Sequence, residues 1–148
     1  MVGLLDVNVL VALAWPNHIH HEAAHAWYRS NAALGWATCP VTQSGFVRVS
    51  SNRKLIPEAA TPHEGLLLLR RIVAQTHHHF WIDDTSLASS RFLAAERLQG
   101  YHQVTDAHLL ALALRHKGRL VTFDSAVAGL MPKGYPSGAV CVVGGAVS

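Results

Sequence analysis

Three aspartates of this 148-residue chain stand where an apolar run gives out or an apolar helix begins: Asp6 after residues 2–5, Asp124 after residues 120–123, and Asp106 directly after Thr105. In open parallel α/β sheets, sites lie beyond the carboxyl ends of the strands, near the point where strand order reverses. Asp6 and Asp124 are expected at that edge, and Asp106, in the first turn of its helix, can point into the same space. Three converging carboxylates raise one another's pKa and lose charge unless a cation sits among them. Oxygen-only donors select Mg²⁺ or Mn²⁺ over zinc. Taken singly, two of the aspartates have an ordinary role: Asp106 as an acid favoured by a helix dipole, Asp124 as the opening of a turn.

The elements that must position these residues are legible from periodicity and breakers. After the strand at residues 2–5, residues 7–14 continue apolar at a density suited to a buried helix. Pro16 and Asn17 make a turn before a helix over residues 21–31, with Ala24, Trp27 and Tyr28 on one face. A short strand at 35–39 stops at Pro40, and residues 42–51 have helical spacing weakened by Gly45. Thr61, Pro62 and Glu64 form a capping box with proline at the first helical position, for a helix to about residue 75. Residues 80–82 predict a strand, 87–98 a helix ending before Gly100, and 106–116 a helix capped by Thr105 and stopped by Gly118 in a left-handed conformation. A strand at 120–123, a short helix at 125–130 and a strand at 140–143 complete the order. Strands alternating with helices imply crossover units and a parallel sheet covered on both faces.

Half the residues are hydrophobic and only 14% are charged, which excludes a disordered tail or a coiled coil. The apolar runs are too short to span a bilayer, and no basic stretch or cleavage site opens the chain, so a cytoplasmic protein without a membrane association is expected. Cys39 and Cys141 read as reduced core thiols. Setting the three aspartates aside leaves Glu22, Glu58, Glu64, Asp83, Asp84 and Glu96 against 12 Lys and Arg. An acidic hole in a basic surface suits a nuclease, in which cations hold the phosphate backbone and carboxylates hold metal.

The segments Leu4-Leu5-Asp6-Val7-Asn8-Val9-Leu10, Val104-Thr105-Asp106-Ala107 and Leu120-Val121-Thr122-Phe123-Asp124 resemble, in that order, the PIN-domain nucleases, specifically the VapC toxins of bacterial toxin-antitoxin modules. The resemblance covers essentially the whole chain, taken as one nuclease domain over residues 1–148. It implies an α/β fold, a three-layer α/β/α sandwich with a central, mostly parallel sheet. It also implies Mg²⁺-dependent endoribonuclease activity through ion-activated water, with Mn²⁺ as a substitute, a homodimer, and neutralisation by a cognate VapB-type antitoxin. By the same carry-over Asp6 and Asp106 are the direct metal ligands and Asp124 completes the catalytic set. Asn8 and Thr105 match supporting positions, and Arg48 belongs to a Gly-Phe-Val-Arg segment shared with a subset of these toxins. The family's usual glutamate after the second strand is replaced here by Gly45 or a neighbour, so one firmly held Mg²⁺ is expected rather than two. Asp83 and Asp84 are candidates for a substitute acid, although the strand before them is expected at the edge of the sheet.

Other chemistry-bearing residues point elsewhere. His21 and His25, and the run His77 to His79, supply no interlocking zinc set. Arg48, Arg53 and Lys54 are candidates to grip RNA phosphates, whereas Arg70 and Arg71 suit the C-terminal dipole of their helix. The four tryptophans are scattered, as core or interface anchors would be. Competing readings are a haloacid-dehalogenase-like phosphotransferase with Asp6 as nucleophile, a receiver-like module, and a catalytically inactive PIN-like module that binds RNA or protein. Asn8 stands where the first would have an aspartate, and the second would need paired early acids.

Overall fold

The structure, a computed structural model, describes residues 1–144. Its sheet has five strands, all parallel: β1 (Gly3–Leu5), β2 (Trp36–Thr38), β3 (His78–Phe80), β4 (Arg119–Thr122) and β5 (Val140–Val142), in the order β3-β2-β1-β4-β5. Alternate residues face opposite layers, and the register keeps each layer consistent across strands. Leu4 pairs with Ala37 and Leu120, and all three enter the core on one face. Leu5 pairs with Val121, and both face the other core with Trp36. Because β1 is buried on both faces, it reads as a continuous apolar run rather than an alternating one.

Helices α1 (Val7–Ala14), α2 (His21–Asn31), α3 (Pro40–Ser50) and α4 (Pro62–Val73) build one layer, packing Val9, Leu10, Trp27, Phe46 and Leu69. Helix α5 (Val104–Arg115) covers the other with Leu109, Leu110, Leu112 and Leu114. The chain thus winds outward from β1 to β3 over one face and returns over the other to β4, which pairs with β1. The gap between the carboxyl ends of β1 and β4 is the switch point of the sheet.

The capping box at Thr61 is present, with Thr61 and Glu64 bonded reciprocally through side chain and backbone. Three expectations need correction. Residues 87–98 form turns and one 3₁₀ turn, Ala95–Arg97, instead of a helix. There the Ser86 and Ser90 hydroxyls accept from the N–H groups of Ala88 and Phe92, local bonds that compete with a helical ladder. The α5 helix begins at Val104, continuing a 3₁₀ turn over Tyr101–Gln103, so Thr105 is exposed inside the first turn and is not the cap. Instead the Gln103 side chain accepts from the N–H groups of Gln99 and Gly100. At the far end Lys117 takes the left-handed conformation (φ 56°), and Gly118 is needed for space. A Cβ on Gly118 would stand 2.5 Å from the Val2 carbonyl oxygen and 2.6 Å from Trp81.

Candidate active site

Asp6 ends β1 and caps α1. Its Oδ1 accepts from the Val7 N–H at 2.7 Å, and its own N–H extends the ladder to the Val121 carbonyl at 2.9 Å. Asp124 lies two residues beyond β4 and is likewise a cap, its Oδ1 accepting from the Ala126 N–H at 2.9 Å at the start of the 3₁₀ turn Ser125–Leu130. The two aspartates therefore sit on either side of the switch point, each held by a cap.

Between them stands Thr122, fully buried. Its hydroxyl donates to Asp6 Oδ2 at 2.8 Å and accepts from the Asp124 N–H at 3.1 Å and from Asn8 Nδ2 at 3.3 Å. Asn8 Oδ1 in turn accepts from the Phe123 N–H at 3.4 Å. Asn8 thus belongs to the hydrogen-bonded group that links the ends of β1 and β4. Thr122 is a residue of the site to which reasoning from sequence assigned no role. Its signal was a hydroxyl at an otherwise apolar strand end, two residues before an acid.

Asp6, Asp106 and Asp124 line one open pocket of about 430 Å³, together with Val7, Asn8, Val11, His18, Val49, Leu55 and Ile56. Asp106 is half-buried and receives no hydrogen bond among the described residues. Burial, with Asp6 and Asp124 adding repulsion, raises its pKa to about 6 against an opposing effect of His102. Asp6 is raised as well: burial outweighs the Thr122 hydroxyl and Val7 N–H bonds, and Asp124 adds to it. His18 is held below its usual range by burial and by His20 and His21. Among the described residues no three His, Cys, Asp or Glu side chains already close around one point. The acids line an open pocket, not a finished cage.

The wall that would carry a further acid is apolar. A Cβ on Gly45 would lie 2.5 Å from Val7 Cγ2, so α3 crosses α1 too closely there for a side chain, and only Val49 of α3 reaches the pocket. Asp83 and Asp84 provide no substitute. Asp83 accepts from His108 Nε2 at 3.0 Å, and Asp84 pairs with Arg115 at 2.8 Å, tying the segment after edge strand β3 to α5. Arg48 is exposed and lines a separate groove between α3 and α4, with Gln43, Val47 and Leu66, and Thr105 likewise lies outside the pocket lining. Arg53 and Lys54 are exposed in the turn that leads into Leu55 and Ile56, beside the pocket.

Three histidines outside the pocket have structural uses. Imidazole N–H groups of His21 and His25 donate to the last α1 carbonyls, Ala12 and Leu13, at 2.7 and 3.2 Å. His78 Nε2 accepts from the Thr38 hydroxyl at 2.8 Å. Trp27, Trp36 and Trp81 are buried anchors, and both cysteines are free.

A PIN-domain family model matches residues 3–129. The chain is 46% identical to the ribonuclease VapC39 of Mycobacterium tuberculosis over 128 residues, 86% of this chain and 92% of that protein. It is 51% identical to ribonuclease VapC38 of the same organism over 126 residues, 85% of this chain and 87% of that one. In fold it resembles crystal structures of M. tuberculosis VapC20, described as a sarcin-ricin loop cleaving toxin (TM-score 0.61, 13% identity, covering 91% of this chain and 97% of that one), and of Rickettsia felis VapBC2 bound to a promoter DNA fragment (TM-score 0.57, 14% identity, covering 88% and 96%). With three aspartates around the switch point of a five-stranded parallel sheet, and relatives of this similarity along most of its length, the chain belongs to the PIN-domain family and, within it, to the VapC-type ribonuclease toxins.

Proposed function

We propose that this protein is a Mg²⁺-dependent endoribonuclease, the toxin of a toxin-antitoxin pair acting in the cytoplasm. The observation that carries this reading is the shared pocket of Asp6, Asp106 and Asp124, in which Asp106 has no donor and is raised to about 6. Such a carboxylate is stabilised in its charged form by a hard cation. An open set of carboxylate oxygens suits Mg²⁺, which keeps several waters and is held by one or two carboxylates plus substrate phosphate. Asp6 and Asp106 would hold the ion. When bound, the cation supplies positive charge to a phosphoryl oxygen and lowers the pKa of a water.

The chain's own residues supply the rest. Thr122 and the Val7 N–H fix the Asp6 carboxylate against rotation. Asp124, with one oxygen engaged by the Ala126 N–H, keeps the other to orient a water or accept its proton. Arg53 and Lys54, exposed beside the pocket, are suited to hold flanking phosphates. A homodimer and neutralisation by an antitoxin extend the proposal. An apolar groove of about 320 Å³, lined by Leu13, Tyr28, Trp36, Leu68 and Ile72 among others, supports a protein partner. No helix among the described residues is long and apolar enough to cross a membrane.

Incubation of total RNA with the purified protein tests the activity. Cleavage is expected with Mg²⁺, and none with EDTA or in Asp6→Asn. Equal cleavage by Asp6→Asn would overturn the assignment. A second reading, a module that binds RNA without cutting it, draws on the apolar wall at Gly45 and predicts no cleavage under any condition.

A further inference from the structure

Beside the acidic pocket lies an aromatic strip. His18, on the turn between α1 and α2, lines the pocket, and its Nδ1 accepts from the His20 N–H at 3.0 Å, which leaves the Nε2 edge of the ring to carry the proton. The His18 and His20 ring centroids are 5.7 Å apart. His20 in turn lies on Phe123, with centroids 4.6 Å apart and planes within 24°. Phe123 immediately precedes Asp124 and packs against the core on the α1–α4 side of the sheet, so the strip begins at one residue of the pocket, His18, and ends next to another, Asp124.

Packing alone gives no reason for this arrangement. His20 is exposed, and its side chain supplies no cap to α2 although it occupies the N-cap position. A flat ring backed on one face by a phenyl group and still open to solvent offers a π-face of the kind on which unpaired bases stack. Bases in a duplex are already stacked on one another, so the same feature discriminates against paired RNA.

We propose that His20, backed by Phe123, is a stacking subsite for an unpaired nucleobase flanking the scissile phosphate. His18 then lines the way from that base to Asp6, Asp106 and Asp124, and presents an N–H edge to the sugar-phosphate that passes it. The inference rests on the ribonuclease reading, since it assumes that RNA enters this pocket. It restricts the substrate to single-stranded RNA at the cleavage point.

The test measures binding of a short fluorescein-labelled single-stranded RNA of randomised sequence by anisotropy, in the Asp6→Asn background so that the probe stays intact. His20→Ala is expected to weaken binding roughly tenfold, in line with the loss of one base–aromatic stack. His20→Tyr, which restores a ring, is expected to bind within about twofold of the parent, and a duplex of the same length to bind more weakly than the single strand. His63→Ala, on the exposed start of α4, serves as a control for the loss of an imidazole. Parental affinity in His20→Ala would overturn the subsite, and so would failure of His20→Tyr to recover or equal affinity for duplex. Failure of the nuclease reading shows separately, as wild-type protein that leaves RNA intact with Mg²⁺.

Discussion

The hydroxyl of Thr122 donates to Asp6 Oδ2 at 2.8 Å across 116 residues of chain, and joins the ends of β1 and β4 at the point where the acids gather. The same oxygen accepts from the Asp124 N–H and from Asn8, so one buried atom serves three partners.

Thr122→Val keeps the shape and removes that atom. It is expected to destabilise the fold by about 2 kcal/mol, the cost of leaving buried polar groups without partners. Because the hydroxyl bond holds the Asp6 pKa down, its loss also raises the Mg²⁺ concentration needed for half-maximal cleavage. Thr122→Ser, which keeps the hydroxyl, should retain most of both properties. Urea denaturation and Mg²⁺ titration of the three proteins check this.

Asp106 gives a pH dependence with a definite sign. Its pKa is about 6 in the folded protein against an ordinary 3.8. Between those values the folded state holds a proton that the unfolded chain has released. Stability of the metal-free protein therefore falls as pH rises from about 4 to about 6, and this contribution levels off above that. Asp106→Asn removes this part of the slope, leaving the metal-free variant more stable than wild type at neutral pH. Added Mg²⁺ should raise Tm in wild type at neutral pH and not in the variant. Since a ligand carboxylate must be deprotonated, the Mg²⁺ requirement also rises below about pH 6. Thermal melts across pH, with and without Mg²⁺, read all three effects.

The α1–α3 crossing predicts the behaviour of Gly45. Although Ala is favoured over Gly in a helix by about 1 kcal/mol, Gly45→Ala should destabilise by about 1–3 kcal/mol, because its Cβ would stand 2.5 Å from Val7 Cγ2. Val7→Ala in the same chain should recover much of that loss. A double-mutant cycle in urea measures the coupling, and additive effects would refute the close approach.

Much of this site was legible because its carriers are local. Asp6 and Asp124 each follow a buried apolar run, and strand burial is written in composition. The parallel direction of the strands followed from the alternation of strands and helices, whereas the third strand was expected at residues 80–82 and lies at His78–Phe80. What sequence alone misjudged depended on competing local bonds or on tertiary space. The apolar spacing of Leu87, Phe92, Leu93 and Leu98 looks helical, yet Ser86 and Ser90 bond back to the chain. Thr105 has the chemistry of a cap, but Gln103 supplies the side chain that closes the turn before it. Arg48 has the right type for phosphate, and its position on α3 turns it to another groove. Asp83 and Asp84 have partners on α5 that no local pattern announces. The roles of His18 and His20 arise only when the turn after α1 is brought against the end of β4.

On the proposed reading, Asp6 and Asp106 together hold a single divalent ion. Titration calorimetry with Mn²⁺ at neutral pH, on wild type, Asp6→Asn and Asp106→Asn, tests it most directly. One ion per chain is expected in wild type, with at least a roughly tenfold weaker affinity in each variant. Two equivalent ions per wild-type chain, or wild-type affinity in either variant, would contradict it.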